Sequence, residues 1–212
     1  MTDGGRPGRE PRRPGSESRR SGSEARREPR ARLFVALELP APIREALASW
    51  RGPVLAAASD ALRPLADEGL HVTLCFLGGQ PADQVHAVLA AVLAAVSGLP
   101  AAPLRLGDGL WLPRRGPKVL AVGLADPAGV LSAVQAQLSD ALASGGWYRP
   151  ERRPYLPHVT VARVRHGARV RAEPLAAPAA LEFTGSRVTL FRSHLSPSGA
   201  RYEPLGSVEL SV

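Results

Sequence analysis

An α+β fold with antiparallel sheets is what this sequence predicts, and three observations lead there. Strand-like and helix-like segments alternate irregularly, with hairpin-like strand pairs among them, unlike the regular strand–helix rhythm of a doubly wound parallel sheet. A short pattern, His-Val-Thr followed by an aliphatic residue, occurs at 71–74 and again at 158–161. Each copy sits in a strand-like segment that comes after a helix at some remove. The chain therefore reads as two copies of one lobe facing each other across a cleft.

Local patterning gives the elements. Residues 1–31 are Gly, Pro, Ser, Arg and Glu with scarcely an apolar side chain. Such a segment buries too little surface to offset its conformational entropy, so a disordered tail is expected, then one domain over 32–212. Arg32–Leu39 is an apolar strand closed by Pro40. Ile43, Ala46, Leu47 and Trp50 recur at helical spacing over 42–59, where Pro53 is expected to break or kink the helix. A short strand is expected around 61–65, then the first motif strand, 70–77, ended by Gly78-Gly79. Pro81 opens a helix whose apolar positions run from 85 to 96 and which stops at Gly98. Strands at about 103–112 and 118–124 flank the turn residues Pro113 and Gly116-Pro117. A helix over 127–143 ends at Gly145-Gly146, and an Arg- and Pro-rich loop, 147–157, leads to the second motif strand, 158–165. Strands near 180–195 and 201–211 close the chain around a turn at Pro197-Ser198-Gly199.

Composition narrows the function classes. The 212 residues carry 44% hydrophobic side chains, enough for a core, and one cysteine. One cysteine excludes an intrachain disulfide and a cysteine-rich zinc site. No run of 18 apolar residues is present, so no membrane partner is expected, and the expected location is the cytoplasm. The net charge of +8 is uneven: residues 1–32 hold +5 and the remaining 180 residues only +3. Arginine outnumbers lysine 26 to 1, a bias of GC-rich bacterial coding sequence. The basic tail reads either as a loose attractor of RNA phosphates or as a solvated segment without a specific role. Its five acidic residues argue against an organellar transit peptide.

The repeated motif carries the chemistry. Strand side chains alternate faces, so His71 shares a face with Thr73, and His158 with Thr160, while the aliphatic residues face a core. Two imidazoles across a cleft can divide acid and base roles, because imidazole titrates near neutrality. Threonine hydroxyls and strand N–H groups beside them suit an anionic oxygen, and a phosphodiester is the natural guest. Strict alternation also puts Cys75 on the His71 face, where it reads either as a nucleophile or as a small buried thiol. There is no Gly-rich phosphate loop, HExxH helix or paired-carboxylate motif.

These residues resemble a known family, the 2H phosphoesterases, and within it the bacterial RNA 2′,3′-cyclic phosphodiesterases also called 2′-5′ RNA ligases. The family is named for two His-x-Thr-x motifs, here HVTL at 71–74 and HVTV at 158–161. RLFVALELP at 32–40, LHVTLCFLG at 70–78, PHVTVAR at 157–163 and LFRSHLSPSGARYEPL at 190–205 are in the family's style and order. The resemblance implies a bilobal fold with two pseudo-symmetric lobes, antiparallel sheets and flanking helices around a central cleft, with no metal or other cofactor. By the same resemblance His71 donates a proton to the departing ribose 3′-oxygen, and His158 accepts one from water, leaving a 2′-phosphate. Thr73, Thr160 and Arg163 then hold phosphate oxygens. Alternation puts Arg163 on the face opposite His158, so a bulge or strand end has to bring it to the cleft.

Further candidates are Phe34 and Tyr155, as aromatic platforms for a base, with core packing the rival reading for Phe34. His194 departs from the family's last block and reads as a surface residue, and His86 and His166 read as solvated. The implied partners are RNA ends or nucleotides bearing a 2′,3′-cyclic phosphate, bound by a monomer, with reversible 2′-5′ ligation implied by the family's name. Two rival functions remain: a phosphodiesterase for another small cyclic phosphate or a 2′-5′ oligonucleotide, and an RNA-end-binding module without catalysis.

Overall fold

The run Leu33-Phe34-Val35-Ala36-Leu37 is buried along its whole length, and a strand buried on both faces belongs inside a sheet. The structure is a computed structural model that describes residues 1, 2, 4, 29–58, 60–196 and 199–211. Nearly all of the expected tail therefore lies outside the described residues. The chain runs β1 (Arg30–Glu38), α1 (Ala41–Ala57), β2 (Leu62–Pro64), β3 (His71–Pro81), α2 (Val85–Val96), β4 (Ala102–Leu112), β5 (Val119–Ala125), α3 (Val130–Ser144), β6 (His158–Val164), β7 (Glu182–Gly185), β8 (Arg187–Ser196) and β9 (Gly199–Glu209).

All nine strands form one antiparallel sheet in the order β7-β4-β5-β6-β3-β1-β8-β9, with β2 also paired to β6. The order is nearly a palindrome of two four-strand halves. In the first, β1 and β3 bracket α1; in the second, β5 and β6 bracket α3. The two lobes are thus halves of a single curled sheet rather than separate sheets. Their seam is narrow: among the described residues β3 meets β6 at one Cα pair, Val72 opposite Val159. Past that pair β2 takes over the same edge of β6, opposite residues 162–164.

The curl is fixed by close packing. At Gly185 an added Cβ would lie 2.5 Å from a Leu37 methyl and 3.2 Å from one of Leu104. Only glycine lets the β7 end of the sheet close down on β1. There the chain leaves β7 and, after Ser186, enters β8 in the other half, so the single strand expected near 180–195 is two.

The helices cover one face of the sheet. α1 buries Ile43, Leu47 and Arg51 along one stripe, α2 buries Val88, Val92, Ala95 and Val96, and α3 buries Leu131, Val134, Leu138 and Leu142. α2 and α3 also pack on each other. The expected break at Pro53 does not occur, and α1 runs on to Ala57. Pro53 and Ser49 are both on the exposed side, so the carbonyl that proline's missing N–H leaves free faces solvent rather than the core. Gly78-Gly79 does not end β3 either. Gly78 takes φ +68° at an irregularity opposite β1, and the strand continues to Pro81.

Candidate active site at the seam

The Val72–Val159 pair sets the geometry. Continuing its antiparallel register places Thr73 across from His158, and His71 across from Thr160. The two motifs are therefore brought together by the fold, related by a local two-fold through the valines. Val72 and Val159 are fully buried beneath, and the four polar side chains are half-buried above.

Both strands then bulge three residues after the histidine. Opposite β1 the register skips Leu74, and opposite β5 it skips Val161. A bulge inserts one residue and reverses the facing of the residues after it, so Leu74 and Cys75 are consecutively buried, as are Val161 and Ala162. The next residues, Phe76 and Arg163, come out on the histidine side. Cys75 is consequently not on the cleft face, contrary to strict alternation. It lies 1% exposed, and burial pushes its thiol up to about 12. Arg163 gains the cleft by the same device, and Phe76, which no local pattern in the sequence singles out, stands 45% exposed there.

The second bulge is pinned from behind. The Val161 carbonyl accepts from the Leu65 N–H at 3.0 Å and from Arg51 Nη1 at 3.1 Å. Arg51, only 8% exposed, also donates to the Leu65 carbonyl at 2.7 Å and pairs with the Asp67 carboxylate. Its sequence signal was an arginine four residues after Leu47 in a core-facing stripe.

Each imidazole is anchored alike. Nδ1–H of His71 donates to the Gly69 carbonyl (2.7 Å), and Nδ1–H of His158 to the Leu156 carbonyl (2.8 Å), in each case two residues back. A carbonyl can only accept, so Nδ1 carries a proton in both rings and Nε2 is left for chemistry. Nε2 of His71 lies 3.2 Å from Thr73 Oγ1. Burial, aided by the positive charges of Arg163 and His158 and opposed by the Gly69 bond, pulls the His71 pKa down to about 4. At neutral pH the unliganded ring is uncharged.

Aromatic rings wall the His71 side. Phe34 stacks on His71 at 4.9 Å between centroids and on Phe191 at 5.2 Å, with Tyr202 edge-on at 5.0 Å. Phe34 is itself 3% exposed, so it supports the imidazole ring more than it offers a free face. Tyr155 donates its hydroxyl to the Thr73 carbonyl (3.2 Å), and burial pushes its pKa upward. It ties the loop before the second motif to the first.

Two hollows open on either side of Thr73 and Phe76. One, of about 300 Å³, is lined by Phe34, His71 and Arg163, together with Arg32 and Arg63. The other, of about 530 Å³, is lined by His158, Tyr148, Tyr155 and Leu156. Thr160 lines neither; it sits half-buried on β6 opposite Ala121. Of the remaining histidines, His194 pairs with Glu203 at 2.6 Å on the β8–β9 hairpin, and His86 and His166 are exposed. Among the described residues no cluster of three or more His, Cys, Asp or Glu could hold a metal ion, and no helix is long and apolar enough to cross a membrane.

Fold and site together define a two-histidine protein with one His-x-Thr motif from each half of a curled antiparallel sheet. The model of the 2′-5′ RNA ligase superfamily matches residues 39–197, and the chain belongs to that family. It is 33% identical over 175 residues to the RNA 2′,3′-cyclic phosphodiesterase of Escherichia coli strain K12, covering 82% of this chain and 93% of the relative. The enzyme of the same name from Geobacillus stearothermophilus is 30% identical over 188 residues, which cover 85% of this chain and 58% of that protein. The crystal structure of E. coli LigT complexed with 3′-AMP superposes with a TM-score of 0.69 at 28% identity, over 87% of this chain and all of that one.

Proposed function

We propose that this chain is an enzyme that hydrolyses the 2′,3′-cyclic phosphate of an RNA 3′ end or nucleoside to a 2′-phosphate. The observation that carries the reading is the pair of identically anchored imidazoles, each beside a threonine, across one seam. The names of its relatives, RNA 2′,3′-cyclic phosphodiesterase, support the same substrate class.

In the proposed step a water oxygen bonds to phosphorus and the bond from phosphorus to the ribose 3′-oxygen breaks. His158 Nε2 takes the proton from water, and His71 Nε2–H delivers one to the 3′-oxygen. Thr73, Thr160 and Arg163 hold the non-bridging oxygens, where charge accumulates as the attack proceeds. The unliganded His71 is uncharged, and the arriving phosphate anion supplies the negative charge that favours its protonated form.

The width of the His158 hollow favours a second reading of the same chemistry. It exceeds what one water occupies, so a ribose 5′-hydroxyl entering there would turn the step into formation of a 2′-5′ linkage. Incubation with nucleoside 2′,3′-cyclic phosphates and a cyclic-phosphate RNA oligomer, with and without EDTA, tests the proposal. A 2′-phosphate product formed equally in chelator is expected; a 3′-phosphate product, or turnover lost in EDTA and restored by one divalent metal, contradicts it.

A further inference from the structure

The arginine-lined hollow holds a charge arrangement that is unfavourable by itself. Arg63 on β2 stands directly opposite Arg163 on β6, and residues opposite in an antiparallel pair share a face with Cβ atoms about 5 Å apart. Like charges so placed destabilise a sheet. Arg32, across the same hollow, lies with its guanidinium 4.6 Å from the Phe76 ring centre. No Asp or Glu lines this hollow, and among the described residues none of the three arginines forms an ion pair. One cyclic phosphate carries a single negative charge, and Arg163 with the threonines and imidazoles already meets it.

We propose that Arg63 and Arg32, beside Arg163, form a second anion subsite that takes the phosphate on the 5′-oxygen of the cyclic-phosphate nucleotide. Arg63 spans the two positions, and Arg32, braced on Phe76, closes the far side. A ribose whose 3′-oxygen lies at His71 has its 5′-oxygen in the same hollow, which is how the subsite selects nucleotides and RNA ends over plain nucleosides. This rests on the cyclic-phosphodiesterase reading for the identity of the first phosphate. The second is either a 5′-phosphomonoester or the internucleotide phosphodiester of a strand, since both present the oxygens that arginine forks bind.

Calorimetry on the full chain with adenosine 2′-monophosphate, adenosine 2′,5′-bisphosphate and a dinucleotide ending in a 2′-phosphate tests this without requiring turnover. The second phosphate tightens binding about tenfold or more in the wild-type protein, and the gain shrinks with added salt. Arg63→Gln and, separately, Arg32→Gln reduce that gain to about threefold or less, whereas Arg63→Lys keeps the larger part of it. Gain from both second phosphates identifies a strand as the ligand; gain from the monoester alone identifies a nucleotide. No gain in the wild type, or a gain that both glutamine variants retain, overturns the subsite. If no cyclic phosphate is turned over while the gain is present, the phosphodiesterase reading fails and the subsite stands.

Discussion

Val72 stands opposite Val159, and this single pair brings a histidine from one half of the sheet beside a threonine from the other, twice. A two-fold seam of this kind needs no metal or extended loop to align the four side chains, because sheet register does so. Register also makes the site brittle: slipping one strand by one residue would turn its motif to the wrong face and separate it from the other. The bulges at Leu74 and Val161 add the second layer, since they decide that Phe76 and Arg163, and not Cys75 and Ala162, reach the cleft.

Arg51→Met is expected to loosen that second layer. The variant loses charged donors to two carbonyls and to Asp67, worth about 2–4 kcal/mol in total, most visible as a lowered Tm. Because Val161 keeps the Leu65 bond, the fold persists and Arg163 is held less firmly. KM for a cyclic phosphate should rise more than kcat falls. An unchanged Tm and KM would show that the bulge does not depend on Arg51.

His71 should titrate far below an ordinary histidine. Its pKa in the folded protein is about 4 against 6.5 for an unperturbed imidazole, so below about 6.5 the unfolded chain binds the extra proton first. Stability from keeping this ring neutral is present above 6.5 and declines as pH falls toward 4. His71→Gln should therefore flatten the acid side of a stability–pH curve. Ring NMR signals should show the low midpoint in the free protein and an upward shift when inorganic phosphate binds; a free midpoint near 6.5 contradicts the burial argument.

Cys75 is expected to be inert. With the thiol pushed up to about 12 by burial, thiolate is scarce at pH 8 and the side chain is out of reach. Iodoacetamide should leave the native protein unlabelled, and Cys75→Ala should cost about 1 kcal/mol of stability with turnover retained. Rapid labelling with loss of turnover would put Cys75 back among the nucleophiles.

Tyr155→Phe removes one hydroxyl that bonds the Thr73 carbonyl. The expected loss is about 0.5–1.5 kcal/mol of stability, with a few-fold fall in kcat through a less rigid Thr73. Turnover reduced a thousandfold would mean that the hydroxyl touches substrate.

The motif strands, the three helices and the α+β class were legible because each rests on local periodicity. The bulges were not, because a bulge is a relation between two strands: nothing in 71–76 alone says that Leu74 will be skipped by β1. Phe76 was hidden and Cys75 misplaced for this one reason. Arg63 and Arg32 carried no signal because they lie in separate strands that only the curled sheet brings to one hollow. The break at Ser186 is of the same kind, since the close approach of Leu37 to Gly185 decides where β7 ends. Arg51 left a local trace, a charge in an apolar stripe, whose meaning depended on the distant Val161 carbonyl.

Steady-state hydrolysis of a nucleoside 2′,3′-cyclic phosphate by the wild-type protein and by His71→Ala and His158→Ala decides whether the seam is a catalytic pair. Each substitution should lower kcat by about 10²–10⁴, and the double variant should fall little further, because a lone member of an acid–base pair has little left to contribute. A substrate with a good leaving group on phosphorus should rescue His71→Ala and leave His158→Ala impaired. Either single variant retaining wild-type kcat would contradict a paired mechanism, and rescue of His158→Ala alone would reverse the two roles.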